Sequence, residues 1–194
     1  DTVLALSAAD AALGHLQVWG AVISDPERLI GPYMTREAVA SSRIEGTQAS
    51  LSDVLQAEAG DDALSQSEDV VEVTRYLQAS RQAFRLIETL PISQRLILEV
   101  HRTLLSGVRG EERTPGEFRA TPVWVGRAGA PPETADFVPP LPEAIPSLIS
   151  DWEDYVNNDG DNPVLVQCAL MHLTFATLPP FLAATGRTSP LWVH

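Results

Sequence analysis

Residues 177–191 read TLPPFLAATGRTSPL: an apolar run enters two prolines, a small-residue loop follows, and Gly186-Arg187 leads out of it. Backbone N–H groups at a helix start, joined by the Arg187 guanidinium, can hold a phosphate. The stretch contains no carboxylate and no histidine, and Arg187 is its one cation. A Gly-Arg pair after a helix is also common in ordinary turns, so spacing alone leaves a phosphate loop and a plain connection both open.

Working outward, helix signals dominate. Residues 4–24 are apolar and Ala-rich up to a break at Asp25-Pro26, and good helix formers run from Tyr33 to Ile44, with Gly46 as the stop. Ser50-Leu51-Ser52-Asp53 has the form of a capping box opening a short helix to about Ala59, and Gly60-Asp61-Asp62 reads as a loop. Ser65-x-x-Glu68 looks like a second box, opening a helix that carries Val70, Val73, Leu77, Phe84 and Ile87 on one face until Pro91. The next helix, about 94–106, turns Leu96, Ile97, Val100 and Leu104 inward and stops at Gly107.

The segment 108–140 differs, with six prolines and a β-like patch over 121–126, and it reads as an ordered loop containing a small hairpin. Pro142 starts a helix bearing Ile145, Leu148, Ile149, Trp152 and Val156, closed by Asn157 to Gly160. Asn162-Pro163 reads as the cap and first position of the last long helix, which runs through Leu165, Cys168, Ala169, His172 and Ala176 to the prolines at 179–180. The class is all-α with one small hairpin.

Bulk properties exclude several functions. A chain of 194 residues with 44% hydrophobic content can bury a sizeable core. A formal charge of -13 argues against non-specific nucleic-acid binding and against an anionic membrane surface. No apolar run approaches the roughly 20 residues needed to span a bilayer. Cys168 is the single cysteine, so no intrachain disulfide is available and a reducing cytoplasm is the simplest compartment. The four histidines (15, 101, 172 and 194) lack metal-ligand spacing, so no metal site is expected. The chain opens without methionine and stops at His194, so a fragment or processed chain is expected.

Three further features carry two readings each. Ser41 lies four residues before Glu45, which places both on one helical face, and Gly46 follows; alone, this is a solvated helix end. Pro115-Gly116-Glu117-Phe118-Arg119, then Pro122-Val123-Trp124-Val125-Gly126, can present a hairpin edge to an extended peptide or merely cover the core with Phe118 and Trp124. His172, on a mostly apolar helix, reads as a core or supporting residue rather than a catalyst.

Taken in order, these pieces resemble a Fic (Fido) family protein across nearly the whole chain. EAVASSRIEGTQASLSDVL (37–55) is similar to the family's N-terminal helical region, and Ser41-x-x-x-Glu45-Gly46 matches its inhibitory motif, Ser/Thr-x-x-x-Glu-Gly/Asn. HRTLLSGVRGEERTPGEFRATPVWVG (101–126) and DFVPP (136–140) resemble the approach to, and the body of, its target-binding flap. The family motif His-Pro-Phe-x-Asp/Glu-Gly-Asn-Gly-Arg-x-x-Arg falls without a gap on 179–190.

The resemblance implies a Fic-type helical bundle with a β-hairpin flap. Residues 1–60 would form the N-terminal helical region with the inhibitory motif, and 61–194 the Fic domain, ending just after the active-site motif. It implies AMP transfer from ATP to a hydroxyl side chain of a target protein, with ATP and Mg as cofactors. The target would dock at Thr121, Pro122, Val123, Trp124, Val125 and Gly126, and a homodimer is among the expected assemblies. The departures bear on the chemistry. Pro179 occupies the base position and Ala183 the metal-ligand position, so no catalytic side chain is retained and no metal is held. Thr185, Gly186 and Arg187 remain for nucleotide contact, but Ala184 tolerates positive φ poorly and should reshape the anion nest. Pro190 stands where the family has its second arginine, so Glu45 is expected to have nothing to clamp. The expectation is an impaired or inactive relative of AMP-transferases; the alternative is a pseudoenzyme serving as a protein-binding or nucleotide-sensing module.

Overall fold

The computed structural model describes residues 1–24, 26–127, 129, 131–158 and 162–192. Asp25, Gly160 and His194, where the sequence suggests a helix break, a helix stop and the chain end, lie outside the described residues. The helices are α1 (Thr2–Val22), α2 (Pro26–Ile44), α3 (Leu51–Glu58), α4 (Asp62–Ser65), α5 (Glu68–Ile87), α6 (Gln94–Leu105), α7 (Ile145–Asn157), α8 (Val164–Thr177) and the short α9 (Thr185–Thr188).

The centre of the fold is the pair α5 and α6, with α2 laid on α5 and α7 on both α6 and α8. Val73, Leu77, Ile97, Val100, Leu104, Ile149, Trp152 and Phe175 are each at most 2% exposed and form its core. Their spacing at three and four residues makes each helix bury one stripe, which the periodicity predicts. The stripe of α5 ends earlier than expected, since Phe84 is only half-buried and Ile87 is 41% exposed.

Capping chemistry explains several boundaries. Ser50 accepts from the Asp53 amide while the Asp53 carboxylate accepts from the Ser50 amide, a complete capping box that starts α3. The second expected box is different. Ser65 closes the one-turn helix α4, its hydroxyl donating to the Asp62 carbonyl, and Ser67 stands at the start of α5. Asp61 caps α4 by accepting from the amides of Ala63 and Leu64, so part of the expected loop 60–62 is helical. Helix α2 starts before Tyr33 and runs through Pro32.

Helix α8 starts at Val164, one residue later than expected, with Pro163 as its cap; it buries Met171 and Phe175, while Ala169 and Ala176 are exposed. Its sequence is apolar all round, so no polar side existed to fix its orientation. Among the described residues the expected hairpin in 121–140 reduces to a single antiparallel bridge between Val125 and Phe137, where each amide donates to the other's carbonyl at 2.9 and 3.1 Å. Proline supplies no N–H for a longer ladder, and this segment is proline-rich.

Candidate functional site

Glu45 follows the last turn of α2, and its carboxylate reaches the loop at the start of α9. Oε2 accepts from Arg187 Nε at 2.7 Å and Oε1 accepts from the Gly186 amide at 3.0 Å. Gly186 permits this approach, because a Cβ there would stand 3.2 Å from Ile44 Cγ2 and 3.3 Å from Glu45 Oε1. This corrects the sequence expectation that Glu45 has no partner. The Glu45 carboxylate clamps Arg187, three residues before Pro190, together with the Gly186 amide. Ser41, by contrast, does not join Glu45; its hydroxyl donates to Glu37 Oε1 at 2.6 Å. Gly46, at φ 99°, ends the turn as expected.

Arg187 is 3% exposed and lies between two carboxylates. Besides Glu45, Glu72 Oε2 stands 3.8 Å from Arg187 Nη1, too far for a hydrogen bond, and Nη1 is buried without a hydrogen-bond partner. Glu72, on α5 and 1% exposed, accepts from Thr47 Oγ1 at 2.7 Å and from Arg109 at 2.8 and 3.1 Å. Sequence reasoning missed Glu72. Its signal was a carboxylate beside Val73 and one turn before Tyr76, on a stripe that must be buried and therefore needs a cation.

Two clefts flank this clamp. One, of about 410 Å³, is lined by Glu45, Glu72, Glu112, Arg109, Arg113 and Arg187, and also by Ala183 and Thr185. Its three carboxylates and three guanidiniums cancel while Glu45 is in place. The other, of about 510 Å³, lies between α2, the bridge residues Val125 and Phe137, and His172 on α8. Pro179 and Pro190 both line this second cleft. His172 Nδ1 stands 3.2 Å from the buried Ser189 hydroxyl, a supporting contact.

Ala184, which starts the turn into α9, lies in the left-handed region at φ 59° and ψ 19° and is 2% exposed, so the alanine carries backbone strain. Such a conformation costs a non-glycine residue about 1–3 kcal/mol, while glycine adds up to about 1 kcal/mol of unfolded-chain freedom. Ala184→Gly should therefore stabilise the protein by about 1 kcal/mol, a Tm increase of about 2–4 °C in thermal melts. A lower Tm would mean that packing of the methyl group outweighs the backbone strain.

His101 underlies the same loop. The buried imidazole accepts the Gly116 amide at Nδ1 (2.9 Å), which makes Nε2 the donor to the Ala183 carbonyl at 3.2 Å. Phe181 stacks on it with ring centroids 3.6 Å apart. Burial, the neighbouring Arg187 charge adding to it, lowers its pKa to about 4 against the opposing pull of the Ala183 carbonyl. Gly116, at φ 78°, has no room for a side chain, since a Cβ would lie 2.9 Å from the Arg102 guanidinium.

Of the flap residues, Thr121, Pro122, Trp124, Val125 and Gly126 are exposed and Val123 is half-buried, while Phe118 packs against Phe181. Among the described residues no cluster of three histidine, cysteine, aspartate or glutamate side chains could hold a metal ion, and Ala183 offers no side-chain oxygen. Nor is any helix of the described residues long and apolar enough to cross a membrane.

A helical bundle in which a carboxylate just past the end of α2 clamps an arginine in a loop–helix turn defines the class. Residues 3–85 match the Fic/DOC family N-terminal region and residues 91–194 match the Fic/DOC family domain. The chain belongs to the Fic/DOC family. Similar solved structures include a Fic family protein from Desulfovibrio desulfuricans G20 (22% identity, TM-score 0.71), covering 97% of this chain and 56% of that one. A Fic domain containing signaling protein from Bacteroides thetaiotaomicron VPI-5482 (20% identity, TM-score 0.73) covers 87% and 63%. Fic-1 (aa134–508 E274G) from C. elegans (22% identity, TM-score 0.72) covers 99% and 58%. The chain thus spans between 56% and 63% of the length of these three chains.

Proposed function

We propose that this is a Fic-type protein related to protein adenylyltransferases, with residues 1–60 acting as an inhibitory region on the Fic domain of 61–194. The observation that carries the reading is the double contact of Glu45 with the Gly186 amide and Arg187 Nε. Both are donors that a nucleotide phosphate would need, and a carboxylate occupies them. When Glu45 leaves, the first cleft changes from neutral to a net charge of +1, and the buried Arg187 Nη1 becomes available to an anion. ATP fits that donor set. Mg does not fit it, because Ala183 contributes no oxygen and Glu72 is already bound to Arg109 and Thr47.

The transfer step is impaired in this chain. Pro179 cannot take a proton from an attacking hydroxyl, and loss of a positioned base costs about 10²–10⁴ in rate. The target protein would dock at the flap over 121–126, where the Trp124 and Val125 side chains are exposed, and the protein would work in the cytoplasm.

The test is incubation with ATP labelled at the α-phosphate, a divalent metal and lysate. The unaltered chain should give background labelling. The combined changes Pro179→His, Ala183→Asp, Ala184→Gly, Thr185→Asn, Pro190→Arg and Glu45→Ala should raise labelling about 10²–10⁴-fold. Robust labelling by the unaltered chain defeats the impairment, and a folded but silent combined variant defeats the assignment.

A further inference from the structure

We infer that Arg119 is the pin that fixes the flap over the second cleft. The side chain is 2% exposed and spends all three guanidinium nitrogens on carbonyls. Nη1 donates to Thr121 at 3.1 Å, where the flap begins, and Nη2 donates to Pro140 at 2.6 Å, where it ends. Nε donates to Pro179 at 2.8 Å, and the Arg119 amide donates to Pro180 at 2.9 Å. One residue therefore closes the neck of the flap and joins it to the first two residues of the loop that carries Arg187.

The sequence explains why an arginine is needed. Prolines 122, 139, 140, 179 and 180 leave this junction rich in carbonyls and poor in N–H groups. Among the described residues no β-ladder supplies the missing donors, since the pairing there is the one bridge between Val125 and Phe137. A planar guanidinium supplies them in three directions at once. Burying a cation among neutral carbonyls is costly, and burial indeed lowers the Arg119 pKa, offset in part by the Glu143 charge. Elsewhere in the fold buried guanidinium charge is met by carboxylates, as at Arg187. At Arg119 the charge is used to set backbone position.

The consequence is geometric. Val125 and Phe137 form one wall of the second cleft, and Glu37, Ser41 and Ile44 of α2 form the facing wall. The width of that cleft depends on where the flap stands, and Arg119 sets this from beneath. That the flap docks a target rests on the function proposed above; the pin does not, and its test needs no activity.

Arg119→Lys keeps the charge but donates from a single atom, so it cannot reach all three carbonyls. Hydrogen exchange of the variant should show the Val125 and Phe137 amides opening at least about tenfold faster, the factor that loss of one charge-assisted hydrogen bond implies. The core amides of Val73, Leu77, Ile97 and Val100 should keep their rates within about threefold. Unchanged flap amides, or equal acceleration in the core, overturn the inference. Should the variant not fold, the unaltered protein decides. Its Arg119 Nε–H should exchange with the same opening free energy as the Val125 amide, and an Nε–H that exchanges as freely as an exposed one overturns the pin.

Discussion

Glu72→Ala is expected to cost about 3 kcal/mol of folding stability, read as a fall in Tm of about 6–12 °C. Glu72 is the fixed carboxylate of the site, 1% exposed, and three separate parts of the chain depend on it. Thr47, itself 1% exposed, would lose the acceptor of its hydroxyl, and an unsatisfied buried hydroxyl costs about 1–3 kcal/mol. Arg109 can swing into solvent at little cost, since its side chain is 57% exposed. Arg187 cannot, being 3% exposed, and it would be left with Glu45 alone.

Breaking a buried ion pair costs about 3–5 kcal/mol when it strands a charge; the lower end applies because Glu45 still neutralises Arg187. The two carboxylates should therefore be coupled. Removing both should destabilise by more than the sum of the single changes, because only the double variant leaves Arg187 without an anion. Denaturant melts of the two single variants and the double variant measure this directly. A Glu72→Ala variant within about 0.5 kcal/mol of the parent would show that Arg187 is not held by Glu72.

How much of this was legible in the sequence follows from which interactions are local. Helices α5 and α6 were readable because their apolar residues recur at three and four and each carries charge on the opposite side. The Ser50 box was readable because both of its hydrogen bonds close within three residues. Ser65-x-x-Glu68 has the form of a box, yet Ser65 ends the one-turn α4, and Ser67, which makes no side-chain cap hydrogen bond, stands at the start of α5. The inner face of α8 was not readable, because an apolar helix with no polar side can turn any face inward. At the site, Glu45 and Arg187 are each identifiable, but Glu45 is expected to face Pro190 with nothing to clamp, since its contact with Arg187, 142 residues apart in sequence, has no local signature. Arg119 stands in the sequence with no motif that gives it a role. The surplus of proline carbonyls around it was the available signal, because those carbonyls needed donors from somewhere.

Stability should fall as the solution is acidified from about pH 6.5 to about pH 4, and His101 should account for about 3 kcal/mol of that fall. The sign follows from where the proton binds. In the unfolded chain the imidazole has its ordinary value near 6.5, whereas in the folded protein burial lowers it to about 4. Between these values the unfolded state holds a proton that the folded state refuses, so each step down in pH favours unfolding. Above about 6.5 both states are neutral and the full contribution is present; below about 4 both are protonated and His101 adds nothing further. The geometry gives the same direction, since protonating Nδ1 would destroy the acceptor of the Gly116 amide and place a cation close to Arg187. His101→Asn keeps an acceptor for Gly116 but cannot titrate. It should be less stable at neutral pH, yet its stability curve should be flatter than the parent's between about pH 6.5 and 4, the difference amounting to about 3 kcal/mol. In the unaltered folded protein, the His101 ring protons should show no titration in NMR spectra down to about pH 5. A midpoint near 6.5 would mean that the imidazole is open to water and does not anchor the Ala183 carbonyl.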